Sequence, residues 1–79
     1  MGRATSEEEF RTLIRQLIAK GQHPSHTAVR AGLGKGGWGE RSGLTKEQTR
    51  WRIEEVERAG YDWQASKRAR RLTKKTEQI

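Results

Sequence analysis

Between Ser6 and Gly21 the apolar residues Phe10, Leu13, Ile14, Leu17 and Ile18 fall at i, i+3, i+4, i+7 and i+8, the spacing of one helical face. Ser6 with Glu9 three residues later spells a capping box, and Gly21 supplies a stop. The pattern predicts an amphipathic helix whose wide stripe supplies about half of a three-helix core. Arg11, Arg15 and Lys20 fall mostly outside the stripe. After Pro24, Ser25 can cap a second, shorter helix through His26, Thr27, Ala28, Val29, Arg30 and Ala31 toward Gly32 or Gly34. Ala28, Val29 and Leu33 are its expected buried contacts, small enough to let two helices approach closely.

The third helix is written most completely, in LTKEQTRWRIEEVERAGY from Leu44 to Tyr61. Thr45 and Gln48 form another capping box, and Gly60 stands where a left-handed residue ends a helix. Ile53 and Val56 share a face that Ala59, Leu44 and Tyr61 extend, and packing of that pair on the first helix is expected to set the helix angle. Lys46, Gln48, Thr49, Arg50 and Arg52 cluster early, whereas Glu54, Glu55 and Glu57 gather late. The helix dipole alone favours the opposite order. Such polarity suits a helix that enters a nucleic-acid groove by its first turns.

The segments around these helices read differently. Residues 32 to 43, GLGKGGWGERSG, hold six of the nine glycines, so the sequence predicts a flexible connector without regular helix or strand. Tyr61 and Trp63 alternate around Asp62 as a very short strand does. Six basic residues then follow between Lys67 and Lys75, in a tail that is either helical or ordered only on binding. The expected organisation is a domain over residues 1–63 and a basic extension over residues 64–79.

Charge narrows the choice of partner. The 79 residues are only 30% hydrophobic, which limits the chain to one small domain with a thin core, and the net charge is +7. Residues 1 to 40 carry six Lys or Arg against four acids, and residues 41 to 79 carry eleven against six, giving +2 and +5. A polyanion is the implied partner, with DNA or RNA ahead of an anionic membrane surface. No cysteine is present, which removes disulfides, thiolate metal sites and cysteine nucleophiles. With neither a signal-like apolar run near Met1 nor a membrane-length stretch, a cytoplasmic, nucleoid-associated protein is expected.

The order of helix, short helix, connector, capped helix and Gly-aromatic exit resembles helix-turn-helix and winged-helix DNA-binding domains. The resemblance is densest in LTKEQTRWRIEEVERAGY, similar to the recognition helix of bacterial and phage regulators, while HPSHTAVRAGLG looks like their second helix. It covers roughly residues 8 to 63. The chain departs from the pattern by inserting GKGGWGERSG where a tight turn is usual, and by leaving a minimal or absent wing. The resemblance implies a mainly α, three-helix, helix-turn-helix-like bundle that binds double-stranded DNA. The role implied is that of a transcriptional regulator or accessory protein of a bacterium, phage or plasmid. RNA is the second choice of partner, a host-protein inhibitor of phage type a further class, and a homodimer on paired half-sites fits the limited reach of one helix.

On this reading Lys46, Gln48, Thr49, Arg50 and Arg52 contact base edges. Lys35, Trp38 and Arg41 of the connector contact the DNA backbone, as do Lys67, Arg68, Arg70, Arg71, Lys74 and Lys75 of the tail. Trp51 is expected to pack rather than to touch sugar-phosphate. Gly32, Gly34 and Gly37 match G-x-G-x-x-G, but no strand precedes them, which argues against a dinucleotide site. Pro24 separates His23 from His26, and Asp62 lacks a second catalytic group, so no metal, cofactor or enzymatic activity is expected.

Overall fold

The computed structural model describes residues 6–33 and 44–75. These residues form four helices, α1 (Glu7–Ala19), α2 (His26–Leu33), α3 (Lys46–Arg58) and α4 (Trp63–Ala69). Both predicted capping boxes are present, Ser6 with Glu9 on α1 and Thr45 with Gln48 on α3. Gly21 and Gly60 follow the two long helices at φ 77° and 96°, a backbone region that disfavours any side chain with a Cβ. Ser25 caps α2 as expected, its Oγ accepting from the Ala28 amide at 3.1 Å.

α1 is the centre of the fold, with α2 and α3 packed on it and α4 packed on α3. Phe10, Ile14, Leu17 and Val29 form the buried cluster, flanked by Leu13, Ile18, Ala28, Leu33, Leu44 and Trp51. Helices α1 and α2 approach so closely that a Cβ on Gly32 would stand 2.6 Å from Leu13 Cδ1. Trp51 meets Phe10 edge-on at 5.8 Å, so it packs. From α3 and the residue before its cap, the α1 core is therefore closed by Trp51 and Leu44. Ile53 stays half exposed and Val56 is buried outside the cluster, because Ile53 lies ~200° around the helix from Trp51.

The C-terminal segment is built into the fold beyond residue 63, past the boundary that composition predicts. Asp62 caps α4, its Oδ1 accepting from the Ala65 amide at 2.8 Å, and Glu57 Oε2 accepts from the Trp63 amide at 2.7 Å. These two carboxylates occupy the positive end of the helix, so Trp63 opens a helix instead of continuing a strand. Arg70 ends α4 in the left-handed region at φ 61°. The chain then doubles back, with Asp62 N donating to Thr73 O at 2.8 Å and Thr73 N donating to the fully buried Ser66 Oγ at 2.9 Å. A single antiparallel bridge between Tyr61 and Lys74 is the only sheet-like pairing among the described residues.

The mainly helical class is as expected, but the relation between α2 and α3 is not that of a tight helix-turn-helix. Each packs on α1, and their backbones do not pack on one another. A side-chain link spans them instead, His26 Nε2 accepting from the Leu44 amide at 3.3 Å. The connector residues 34–43, including Lys35, Trp38 and Arg41, lie outside the described residues.

Candidate functional site

The reversed charge order of α3 has a local explanation. Glu55, only 3% exposed, accepts from Arg11 Nη1 at 2.8 Å and from Arg15 Nε at 2.9 Å. Arg11 also reaches Glu54 at 2.6 Å and Glu7 at 2.8 Å. Glu54 and Glu55 of the acidic trailing half of α3 are therefore counter-charges for the arginines of α1, and Glu57 serves the start of α4. Burial alone would raise the Glu55 carboxyl, but hydrogen bonds from Arg15 and Arg11 outweigh it and hold the group below its ordinary 4.5. Hydrogen bonds that Arg11 donates to Glu54, then to Glu55 and Glu7, hold its guanidinium well above its ordinary value.

The five residues expected to read bases divide into two groups. Lys46 and Arg50 are exposed and Thr49 is half exposed. With Ile53 they lie at i, i+3, i+4 and i+7, one outward stripe on the leading part of α3. Gln48 and Arg52 are not on that surface. Gln48 is 8% exposed, and its Oε1 accepts from the Thr45 amide at 3.1 Å, because a capping box turns its N3 side chain back on the cap. Arg52 is 9% exposed and lies over the ring of Trp63, 4.9 Å from its centroid. Position 52 faces α4, an element whose packing the helical period of α3 does not reveal.

In the tail, Lys67, Arg68, Arg70, Arg71, Lys74 and Lys75 are all exposed. Lys75 pairs with Glu57 at 3.1 Å, and the other five have no carboxylate partner among the described residues. Helix α4 and its return segment therefore present an unneutralised cationic row. Neutralisation is concentrated at the α1–α3 seam, where Arg11 and Arg15 meet Glu54 and Glu55.

Beside that row lies a cleft of about 610 Å3 lined by Gln22, His23, Ser25, His26, Thr27, Arg52, Trp63, Lys67 and Arg70. Among the described residues its lining contains no acid. The α1–α2 loop, the first turn of α2, the middle of α3 and one face of α4 all contribute to it. Trp63 is the organising residue, with the Arg52 guanidinium over its ring and the His23 ring 5.5 Å away. Arg52 Nε and Nη1 and His23 Nδ1 are buried without a hydrogen-bond partner. Desolvation, then the charge of Arg52, push the His23 imidazole below its ordinary 6.5, and desolvation lowers Arg52 as well. Sequence reasoning missed this cleft because its members are scattered from Gln22 to Arg70. The one signal in the sequence is a large aromatic, Trp63, placed beyond the last apolar period with no neighbour to bury it.

Among the described residues no set of three His, Cys, Asp or Glu side chains is placed to hold a metal, and no helix is long and apolar enough to cross a membrane. Comparison with protein-family models, curated proteins and solved structures gave no relative of this chain.

Proposed function

We propose that this chain binds double-stranded DNA, as a small transcriptional regulator or accessory DNA-binding protein. The observation that carries the reading is the segregation of charge. Glu7, Glu54 and Glu55 pair with arginines of α1, and Glu57 and Asp62 cap α4, while Lys67, Arg68, Arg70, Arg71 and Lys74 stand exposed and without a carboxylate partner among the described residues. Such a row lies along a phosphate backbone and gains affinity from counterion release. The exposed stripe of Lys46, Thr49, Arg50 and Ile53 is the surface we assign to the major groove, since it opens a capped helix and joins two cationic donors to an apolar tip. Gln48 and Arg52 are left out of it, being buried. In this arrangement α1 sets the position of α3 through Leu44, Trp51 and the Glu55 ion pairs, in place of a tight turn.

The test is the salt dependence of binding to a labelled random-sequence duplex. Substituting those five tail cations with Gln is expected to weaken binding and to reduce the log–log salt slope by about 4.5, at ~0.9 for each phosphate no longer neutralised. Circular dichroism should report unchanged helicity. A slope that stays as steep removes α4 from the interface, and no salt-sensitive binding in the parent chain removes the function. The double substitution Lys46→Ala and Arg50→Ala is expected to cost about 1–3 kcal/mol of discrimination for each base-reading side chain, measured between selected and random duplexes. Equal weakening on both duplexes would assign these two side chains to phosphate alone.

A further inference from the structure

Arg52 combines two properties that rarely coexist in one side chain. It is more than nine-tenths buried, and its Nε and Nη1 have no acceptor. A buried guanidinium normally has a carboxylate beside it, because desolvating the charge is costly and an ion pair offsets that cost. Here the nearest compensation is the π face of Trp63, which attracts the cation but accepts no conventional hydrogen bond. Three of the four acids of α3 are directed elsewhere, Glu54 and Glu55 to α1 and Glu57 to the start of α4, and the fourth, Glu47, is exposed in the first turn and does not line the cleft.

The surroundings accumulate the same sign. Lys67 and Arg70, both exposed, stand on the cleft wall with Arg52. The Ser25 and Thr27 hydroxyls contribute donors from the first turn of α2, whose eight residues direct the positive end of their dipole toward this end. His23 Nδ1, also buried and unpartnered, completes the lining. Three permanent cations around a concavity with no acid among its described lining residues call for an anion of charge about −2, since one negative charge leaves two cations opposed. Donors converge from four segments rather than in one plane. A tetrahedral set of oxygens meets them, whereas the two coplanar oxygens of a carboxylate satisfy one guanidinium edge.

We propose that this cleft is a phosphate-binding site, taking a phosphate monoester or free phosphate, with Arg52 as the principal ligand-contacting side chain and Lys67 and Arg70 as its outer clamp. The site shares Lys67 and Arg70 with the exposed row on α4 and adds the buried Arg52 to them. It is recessed, so it suits a phosphate that protrudes, such as a terminal phosphate of a nucleic acid, better than one within a continuous backbone. It stands whether or not the chain binds duplex DNA.

The experiment titrates the full chain with inorganic phosphate, at ionic strength held constant with sodium chloride, by calorimetry and by NMR of the Arg52 Nε–H and His23 ring resonances. Saturable binding is expected, with both sets of resonances moving together. Arg52→Met should lower phosphate affinity by tenfold or more, the size of a charge-assisted hydrogen bond. The paired exposed substitutions Lys67→Ala and Arg70→Ala, which leave the core intact, should lower it several-fold. No response beyond that of sodium chloride, or equal binding by parent and variants, overturns the site. A second arm compares oligonucleotide duplexes with and without a 5′-phosphate. A several-fold preference for the phosphorylated end that disappears in Arg52→Met supports a terminal phosphate as the source. Equal duplex affinities with intact binding of inorganic phosphate support the free anion. Failure of duplex binding alone leaves the site standing and removes only the DNA reading, whereas salt-sensitive duplex binding without a phosphate response does the reverse.

Discussion

Replacing Glu55 with alanine is expected to destabilise the domain by about 3 kcal/mol, the lower end of the range for breaking a buried ion pair. The lower end applies because Arg15 is half exposed and can rehydrate, and because Arg11 retains Glu7 and Glu54. A 79-residue domain has a total stability of roughly 4–12 kcal/mol, so the change is a large share of it. Urea unfolding of Glu55→Ala measures the effect, and a midpoint within error of the parent would show that the α1–α3 seam rests on apolar packing alone. Acidification of the parent offers a second measurement. Because the Glu55 carboxyl is held below its ordinary 4.5, it contributes stability in full above that pH and loses it as pH falls through the folded value. The gap between the parent and Glu55→Gln should accordingly narrow in acid. A gap that widens as pH falls would contradict the assignment of Glu55 as the charged partner.

Trp63→Ala has the other large effect, about 3–5 kcal/mol, as for a buried aromatic removed from a core. For a domain of this size that corresponds to a fall in Tm of at least ~12 °C. Trp63 is 6% exposed and serves three elements at once, opening α4, carrying Arg52 and meeting the His23 ring. Its removal should therefore release α4 and leave Arg52 without its π partner, while the cluster of Phe10, Ile14, Leu17 and Val29 persists. Amide exchange resolves the two regions, with protection abolished in residues 61–75 and kept in α1. A uniform fall in protection would instead mean that α4 and the α1 core unfold as one unit. Trp63→Phe, which keeps an aromatic face, is expected to retain part of the stability.

Both effects arise where distant segments meet, and that is where the sequence is hardest to read. The ends of α1 and α3 are legible because capping boxes and C-terminal glycines act over three or four residues. Ser6 with Glu9, Thr45 with Gln48, and Gly21 and Gly60 all carry their meaning in their spacing. The apolar period of α1 likewise identifies Phe10, Ile14 and Leu17 as core. A helix considered alone misleads about its charges. The gradient along α3 looks like a preparation for DNA, although much of its acidic half answers Arg11 and Arg15, which lie 40 or more residues away in sequence. Arg52 and Gln48 look available, when one lies against Trp63 of α4 and the other folds back on its own cap.

By itself the sequence determined the helical class, the ends of the long helices, the first helix as core and the excess of basic charge toward the C-terminus. Those are local or additive properties, fixed by periodicity, by caps and by counting. The tertiary structure alone decided which charges cancel, which remain exposed, and that His23, Arg52 and Trp63 meet beside Lys67 and Arg70. Pairing and convergence depend on distances between residues far apart in the chain. The packing of α3 and α4 sets those distances, and no spacing along the sequence encodes them.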